Sequence, residues 1–335
     1  MPCGACAATL SASASRDSLE GVERQTVAAT SFRLDLKAAE VHRQLQEAGI
    51  PSVLLKGRAF AELLYDDPRD RPYNDVDLLV APTLVPHAEA MLRDGGFYAF
   101  DPETPAAQTD AKLGPLVGAH GRHSRAWIRR WDTFIVDVHD KLPQVGADPS
   151  EVWAALQPHL SSVQLAGSSI PTLDRPASAL LATLHAAHHG AGWNHATRDL
   201  ERALLLFDRR TWEEARGLAF ALLAERSMGV GLGMVPAGHD LALELGLNPL
   251  PTRALELLWD GAPWSATFVE ALRGRQPLRA RLALLAHVVA PSPDAMRRGS
   301  ALARRSRRGL AAAYVLRFVA LLRRLPAALR GPGQI

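Results

Sequence analysis

The sequence predicts an α+β fold, in which strands and helices through about residue 148 are followed by a mainly helical C-terminal domain. Three observations carry this. A short apolar run, a glycine turn and a helical spacing follow one another between Pro51 and Tyr65. Two later apolar runs, over 74–80 and 133–139, carry aspartates at the two-residue period of a strand. From about Ser150 the composition shifts to alanine, leucine and arginine, and helical spacings recur.

In chain order, residues 19–49 alternate apolar and polar positions at helical spacing and stop at Gly49, before Pro51. Ser52, Val53, Leu54 and Leu55 read as a strand ended by Gly57, and residues 59–65 return to a helix. Phosphate-handling turns often have this order. A polar loop over 66–72 leads to the strand 74–80, where Asp75, Asp77 and Leu79 share one face. Residues 84–93 read as a helix stopped by Gly95 and Gly96, and Phe97 to Phe100 begin another strand. Residues 101–121 carry no legible period. In the strand 133–139, Asp137 and His139 share a face opposite Val136 and Val138.

Beyond residue 150 a strand pair is expected around Val163 and Ile170. Pro176, after Asp174, suits a first helical position and opens a helix carrying His185, His188 and His189. Thr211 and Glu214 have the spacing of a capping box that starts another helix. The stretch from Arg297 onward holds ten arginines and no acidic residue. The expected division is a flexible N-terminus over 1–18, a core with its leading helix over 19–148, a mainly helical domain over 149–296 and a basic amphipathic helical C-terminus over 297–335.

At 335 residues the chain exceeds what one small core organises, and 47% hydrophobic against 22% charged residues excludes a mostly disordered protein. A net charge of +3 is too small to argue for coating nucleic acid, and no basic-aromatic recognition pattern is present, so no specific nucleic-acid binding is expected. Cys3 and Cys6 are the only cysteines, which excludes a disulfide framework. Without a second ligand pair at zinc-finger spacing, they read as part of a mobile end. The first twenty residues lack the basic start and apolar segment of a secretory signal, and no uncharged apolar run reaches the roughly 18 residues of a membrane span. The expected compartment is the cytoplasm.

Two aspartates at i and i+2 on one strand, with a third on a neighbouring strand, can bring three carboxylates to one point. Such hard oxygen donors suit Mg²⁺ or Mn²⁺, and a pair of ions roughly 3.5 to 4 Å apart can clamp the attacking and departing oxygens of a displacement at phosphorus. Asp75 and Asp77 alone read equally as loop-edge charges. The order of elements is what adds weight: strand, Lys56-Gly57, helix, loop, Asp75-Val76-Asp77, and later Val136-Asp137-Val138.

That order resembles the DNA polymerase β nucleotidyltransferase superfamily. More closely, Leu54-Leu55-Lys56-Gly57, Tyr65, Arg71, Asp75 to Val80 and Val136-Asp137-Val138-His139 look like an uncharacterised bacterial nucleotidyltransferase-like family often found near natural-product genes, modified-peptide genes among them. His185, His189, Arg198 and Asp199 resemble that family's later helical signature, and the resemblance covers roughly residues 20–215. There are departures. Gly57 is followed by Arg58 where the wider superfamily has serine, and 18 positions separate Gly57 from Asp75, more than in many compact members.

The resemblance implies a polymerase β-like core, a mixed sheet with flanking helices. It implies that Asp75 and Asp77 bind the metal holding an NTP triphosphate, that backbone amides near Gly57 face the phosphates, and that Asp137 completes a second metal site and helps deprotonate an acceptor hydroxyl. The cofactor would be Mg²⁺ or Mn²⁺, with an NTP, ATP first, as co-substrate and a small molecule or peptide as acceptor. Lys56, Arg58 and Arg71 would neutralise the triphosphate, unless Lys56 and Arg71 pair instead with Asp66, Asp67 or Asp70 at the surface and Arg58 faces out of its helix start. His139 would orient the aspartate, contact substrate, add a ligand or pack as a hydrogen-bonded core histidine. His185, His188, His189 and Asp199 read either as a polar cluster on the acceptor side or as a separate metal site. The basic C-terminus suits weak contact with an acidic peptide or an anionic membrane, and equally a solvated helix face. Two alternatives to nucleotidyl transfer stand beside it: a non-catalytic nucleotide- or partner-binding module that keeps the fold, and a metallophosphohydrolase centred on His185, His188, His189 and Asp199.

Overall fold

A computed structural model describes residues 29–100, 123–129, 131–132, 134–190, 192, 194–260, 289–291, 293, 296–297 and 300–330. The stretch 1–18, with Cys3 and Cys6, and the expected helix start at residue 19 lie outside the described residues. A first helix, α1, occupies 29–47 of them. It leads through Gly49 to β1 (Ser52–Leu54), then α2 (Arg58–Leu64), β2 (Asp75–Val80), α3 (Val85–Asp94) and β3 (Phe97–Phe100). Next come β4 (Ser124–Arg129), β5 (Ile135–His139), α4 (Pro149–Leu156) and the hairpin of β6 (Leu160–Leu165) and β7 (Ser168–Leu173).

The seven strands form one mixed sheet in the order β3-β4-β5-β2-β1-β7-β6. β2 runs parallel to β5 and antiparallel to β1, and β7 joins the far side of β1 in parallel. The hairpin β6-β7, which the sequence places in the helical part beyond residue 148, therefore extends the same sheet as the aspartate strands. β4 has no counterpart in the sequence expectations. Its residues, Ser-Arg-Ala-Trp-Ile-Arg, are buried in no clean alternation, so they lack the period that marked its neighbours.

Both faces of the central strands are covered, which is why β2 reads as an almost unbroken apolar run around its aspartates. Val76, Leu78, Val80, Val136 and Val138 pack on one side with Leu34, Val41 and Leu45 of α1 and Leu92 of α3. Val53, Leu55, Leu79 and Leu173 pack on the other side with a helical assembly. Asp75 and Asp77 share the face of Leu79, so they look toward that assembly.

Its centre is α5 (Arg175–His189), buried from Pro176 to Ala187 and therefore apolar almost all round. Asp174 caps it by accepting from the amide of Ala177, and Pro176 is the second helical residue, one position later than the sequence predicts, because Arg175 opens the helix. Around it lie α6 (Asn194–Leu206), α7 (Arg209–Ala221), α8 (Glu225–Leu232), α9 (Pro236–Glu244) and α10 (Arg253–Trp259). α8 approaches α5 so closely that a Cβ on Gly231 would lie 1.9 Å from the carbonyl oxygen of Thr183. The expected capping box at Thr211 is corrected. Asp208 is the cap and accepts from the amide and hydroxyl of Thr211, which sits inside the helix. The chain continues with α11 (Ala301–Arg305) and α12 (Arg307–Arg330). Among the described residues no helix is long and apolar enough to cross a membrane.

Candidate functional site

The parallel register of β2 and β5 sets Asp75 beside Ile135, Asp77 beside Asp137 and Leu79 beside His139. Asp77 and Asp137 therefore face the same way at the same height, beneath α5. β1 delivers a third group. Lys56, the last residue before the glycine turn, places its ammonium 3.0 Å from Asp77 Oδ1. His139 Nε2–H donates to the same oxygen at 2.9 Å. Asp77, Asp137 and His139 each present a ligand atom, and these atoms lie within 4.8 Å of one another, the one such trio among the described residues. Asp75 stays outside it.

The charges explain the protonation pattern. Burial works against an ionised Asp77, but the Lys56 ammonium and the His139 hydrogen bond outweigh it and hold the carboxyl below the usual range. Burial together with the negative charge of Asp77 pushes Asp75 up to about 6, and the same two causes raise Asp137. Burial also opposes the charge on Lys56, yet Asp77, Asp75 and Asp137 together keep it protonated.

The turn at Gly57 has φ 62° and ψ −120°, which a residue with a β-carbon adopts only under strain. A Cβ there would also meet the ring of Tyr73 at 3.4 Å. Arg71 fixes this turn from behind. Its Nη1 donates to the Gly57 carbonyl at 3.2 Å, while its Nε and Nη2 grip Asp199 at 2.8 and 2.6 Å. Tyr65 O–H donates to Asp199 as well, at 2.9 Å. Arg71 is thus buried on Asp199 and makes no pair with Asp66, Asp67 or Asp70. Asp199, 1% exposed, is spent on this tie. Arg58 turns away from the carboxylates toward α1, where it meets Asp35 at 3.2 Å and also pairs with Glu62. Tyr73 O–H donates to the same Asp35.

The histidines make a continuous row. The rings of His185 and His189, one turn apart on α5, lie 4.7 Å centre to centre, and His189 and His188 4.9 Å. His188 then meets His123 at 4.9 Å, and His123 meets His139 at 5.3 Å. Burial, with the nearby Lys56 ammonium, pushes His188 and His189 down to about 4 and takes His123 and His185 well below the ordinary imidazole value. Those four rings are therefore uncharged near neutrality. Although the row borders the carboxylates, its members bring no three ligand atoms together, so the separate metal site considered for His185, His188 and His189 is not assembled among the described residues. His123 escaped sequence reasoning because it lies at the edge of the stretch without a period, and only the pairing of Ser124 with His139 draws it in.

The donor set fits a divalent cation. Asp137 Oδ1 and His139 Nδ1 are buried without a hydrogen-bond partner, so the protein alone does not satisfy them. Two facing carboxylates offset by a single ammonium leave room for further positive charge, from an ion or from the counter-ions of a phosphate ligand.

The sequence pattern of a family described as uncharacterised nucleotidyltransferases matches residues 7–234. No curated protein matches the chain. Among solved structures, the crystal structure of an antigenic nucleotidyltransferase-like protein from Paracoccidioides brasiliensis is 15% identical, covering 64% of this chain and 93% of that one at a TM-score of 0.34. The fold stands on the strand order and register above and not on that likeness.

Proposed function

The chain belongs to this nucleotidyltransferase family, and from that membership we propose that it moves an NMP from an NTP, ATP first, to a hydroxyl or phosphate oxygen of a small-molecule or peptide acceptor. The observation that carries the proposal is the facing of Asp77 and Asp137 across β2 and β5, with Asp75 two residues back and the Lys56-Gly57 turn beside them.

Asp77 and Asp137, with Asp75 at the margin, would hold Mg²⁺ or Mn²⁺. Such an ion, when bound, offsets the charge of the triphosphate and sharpens the attacking oxygen as a nucleophile. Gly57 lets phosphate oxygens approach the main chain, because no side chain stands there. Lys56 trades part of its contact with Asp77 for phosphate oxygens, as a point charge with three donors can. Asp137, with an unpartnered oxygen, takes the proton of the acceptor hydroxyl. The acceptor oxygen bonds to the α-phosphorus, the bond from that phosphorus to its bridging oxygen breaks, and pyrophosphate leaves with the electron pair. The uncharged rings of His185 and His189 border the acceptor side together with His139, without drawing the triphosphate away from Lys56.

A thermal-shift panel of ATP, GTP, CTP and UTP, with and without Mg²⁺ or Mn²⁺, tests this on wild type and Asp77→Asn without knowledge of the acceptor. The proposal expects a cation-dependent shift for at least one NTP, lost in the variant. No shift with any NTP and either cation would overturn it in favour of a partner-binding module that keeps the fold.

A further inference from the structure

We propose that His139 is itself a metal ligand, so that the ion between β2 and β5 is held by Asp77, Asp137 and a ring nitrogen, and that the site consequently prefers Mn²⁺ to Mg²⁺. The inference rests on the functional proposal only in placing an ion here.

Three observations converge. The ligand atoms that come within 4.8 Å of one another belong to Asp77, Asp137 and His139, whereas Asp75, which completes an all-carboxylate set in the sequence pattern, lies outside the group. His139 is 1% exposed and its Nδ1 has no partner. An ionised Asp77 oxygen can only accept, so Nε2 donates the proton between them. Burying a ring nitrogen without a partner costs about 1–3 kcal/mol. Finally, Asp77 Oδ1 already gathers two N–H donors, Lys56 and His139, where an ion would supply one concentrated charge. An entering ion that takes this oxygen releases the imidazole to bind through one nitrogen while the other holds the proton.

The donor set decides the preference. Mg²⁺ keeps several waters and takes oxygen ligands in strict octahedral geometry. Imidazole suits transition ions, and Mn²⁺ accepts carboxylate, water and imidazole together. A site with two carboxylates and one imidazole therefore discriminates against Mg²⁺, which an all-carboxylate site would not.

The test uses the full chain loaded with Mn²⁺ alone and reads electron spin-echo modulation, which reports a nitrogen bonded directly to the ion. Wild type should show imidazole nitrogen modulation. It should disappear in His139→Gln and persist in His185→Gln and His188→Gln. Competition should need about a hundredfold excess of Mg²⁺ to displace Mn²⁺ from wild type and about tenfold less from His139→Gln. If His139→Gln fails to fold, the wild-type modulation together with the two control variants still decides the matter. Mn²⁺ bound without nitrogen modulation, Mn²⁺ bound no more tightly than Mg²⁺, or no Mn²⁺ bound at all would overturn the inference. The first two results leave the nucleotidyl-transfer proposal intact, since NTP binding with Mg²⁺ is read separately.

Discussion

Arg71 and Asp199, 128 positions apart, meet as a buried two-pronged ion pair, and the same guanidinium reaches on to the carbonyl of Gly57. The glycine turn next to the carboxylates is thus held in place by α6, a helix from the C-terminal half. Removing one partner of a buried pair strands the other. Arg71→Ala should cost about 3–5 kcal/mol in urea unfolding, and Arg71→Lys less, because it keeps the charge but loses the fork. In a double-mutant cycle, Arg71→Ala with Asp199→Ala should cost clearly less than the sum of the single changes. An Arg71→Ala variant as stable as wild type would contradict the tie.

Gly57 makes a second demand on the turn. Its φ and ψ lie where a β-carbon is strained, so Gly57→Ala should lower stability by about 1–3 kcal/mol. The same change should reduce the NTP-dependent thermal shift, because the new methyl crowds both the phosphate approach and the Tyr73 ring. Differential scanning calorimetry and the nucleotide panel read the two effects separately.

Lys56 and Arg58 sit on either side of that glycine and should behave differently. Lys56→Met removes the ammonium that offsets Asp77 and Asp137, so the ion-free protein should lose stability. Added Mn²⁺ should then raise its melting temperature more than that of wild type, since the ion replaces the missing charge. Arg58→Ala should loosen α1, at about 1 kcal/mol, while leaving the NTP-dependent shift in place, because Arg58 engages Asp35 and Glu62.

Stability should depend on pH through two opposed sets of groups. The depressed His188 and His189 bind fewer protons folded than unfolded between about pH 4 and 6.5, so stability falls as pH drops through that window. Asp75, raised to about 6, binds more protons folded than unfolded between about pH 4 and 6, so its contribution is lost as pH rises. In chelator-treated protein, His188→Gln should therefore flatten the loss of stability between pH 6.5 and 4, and Asp75→Asn should steepen it. Denaturant melts at half-unit pH steps check both signs.

The aspartate face was legible because a strand's two-residue period puts Asp75 and Asp77 on one side, and Val136 and Val138 mark the opposite side of the next strand. Adjacency of the two strands was not legible from spacing, since the intervening β4 had no period and register is set by tertiary pairing. Long-range partnerships stayed hidden for the same reason. Arg71 read as a phosphate ligand or a surface pair among nearby aspartates, when its partner lay in α6. His185 and His189 at i and i+4 were visible as a pair. Their continuation through His188 and His123 to His139 required the sheet and α5 to be brought together.

The proposed activity is nucleotidyl transfer to an acceptor oxygen. Its most direct test follows labelled phosphorus from NTPs labelled at the α or the γ position, incubated with Mn²⁺ and a fractionated small-molecule and peptide extract, on wild type and Asp137→Asn. The prediction is label transferred from the α position only, with one pyrophosphate released per acceptor modified, and none with the variant. Transfer from the γ position, or equal α transfer by Asp137→Asn, would contradict it.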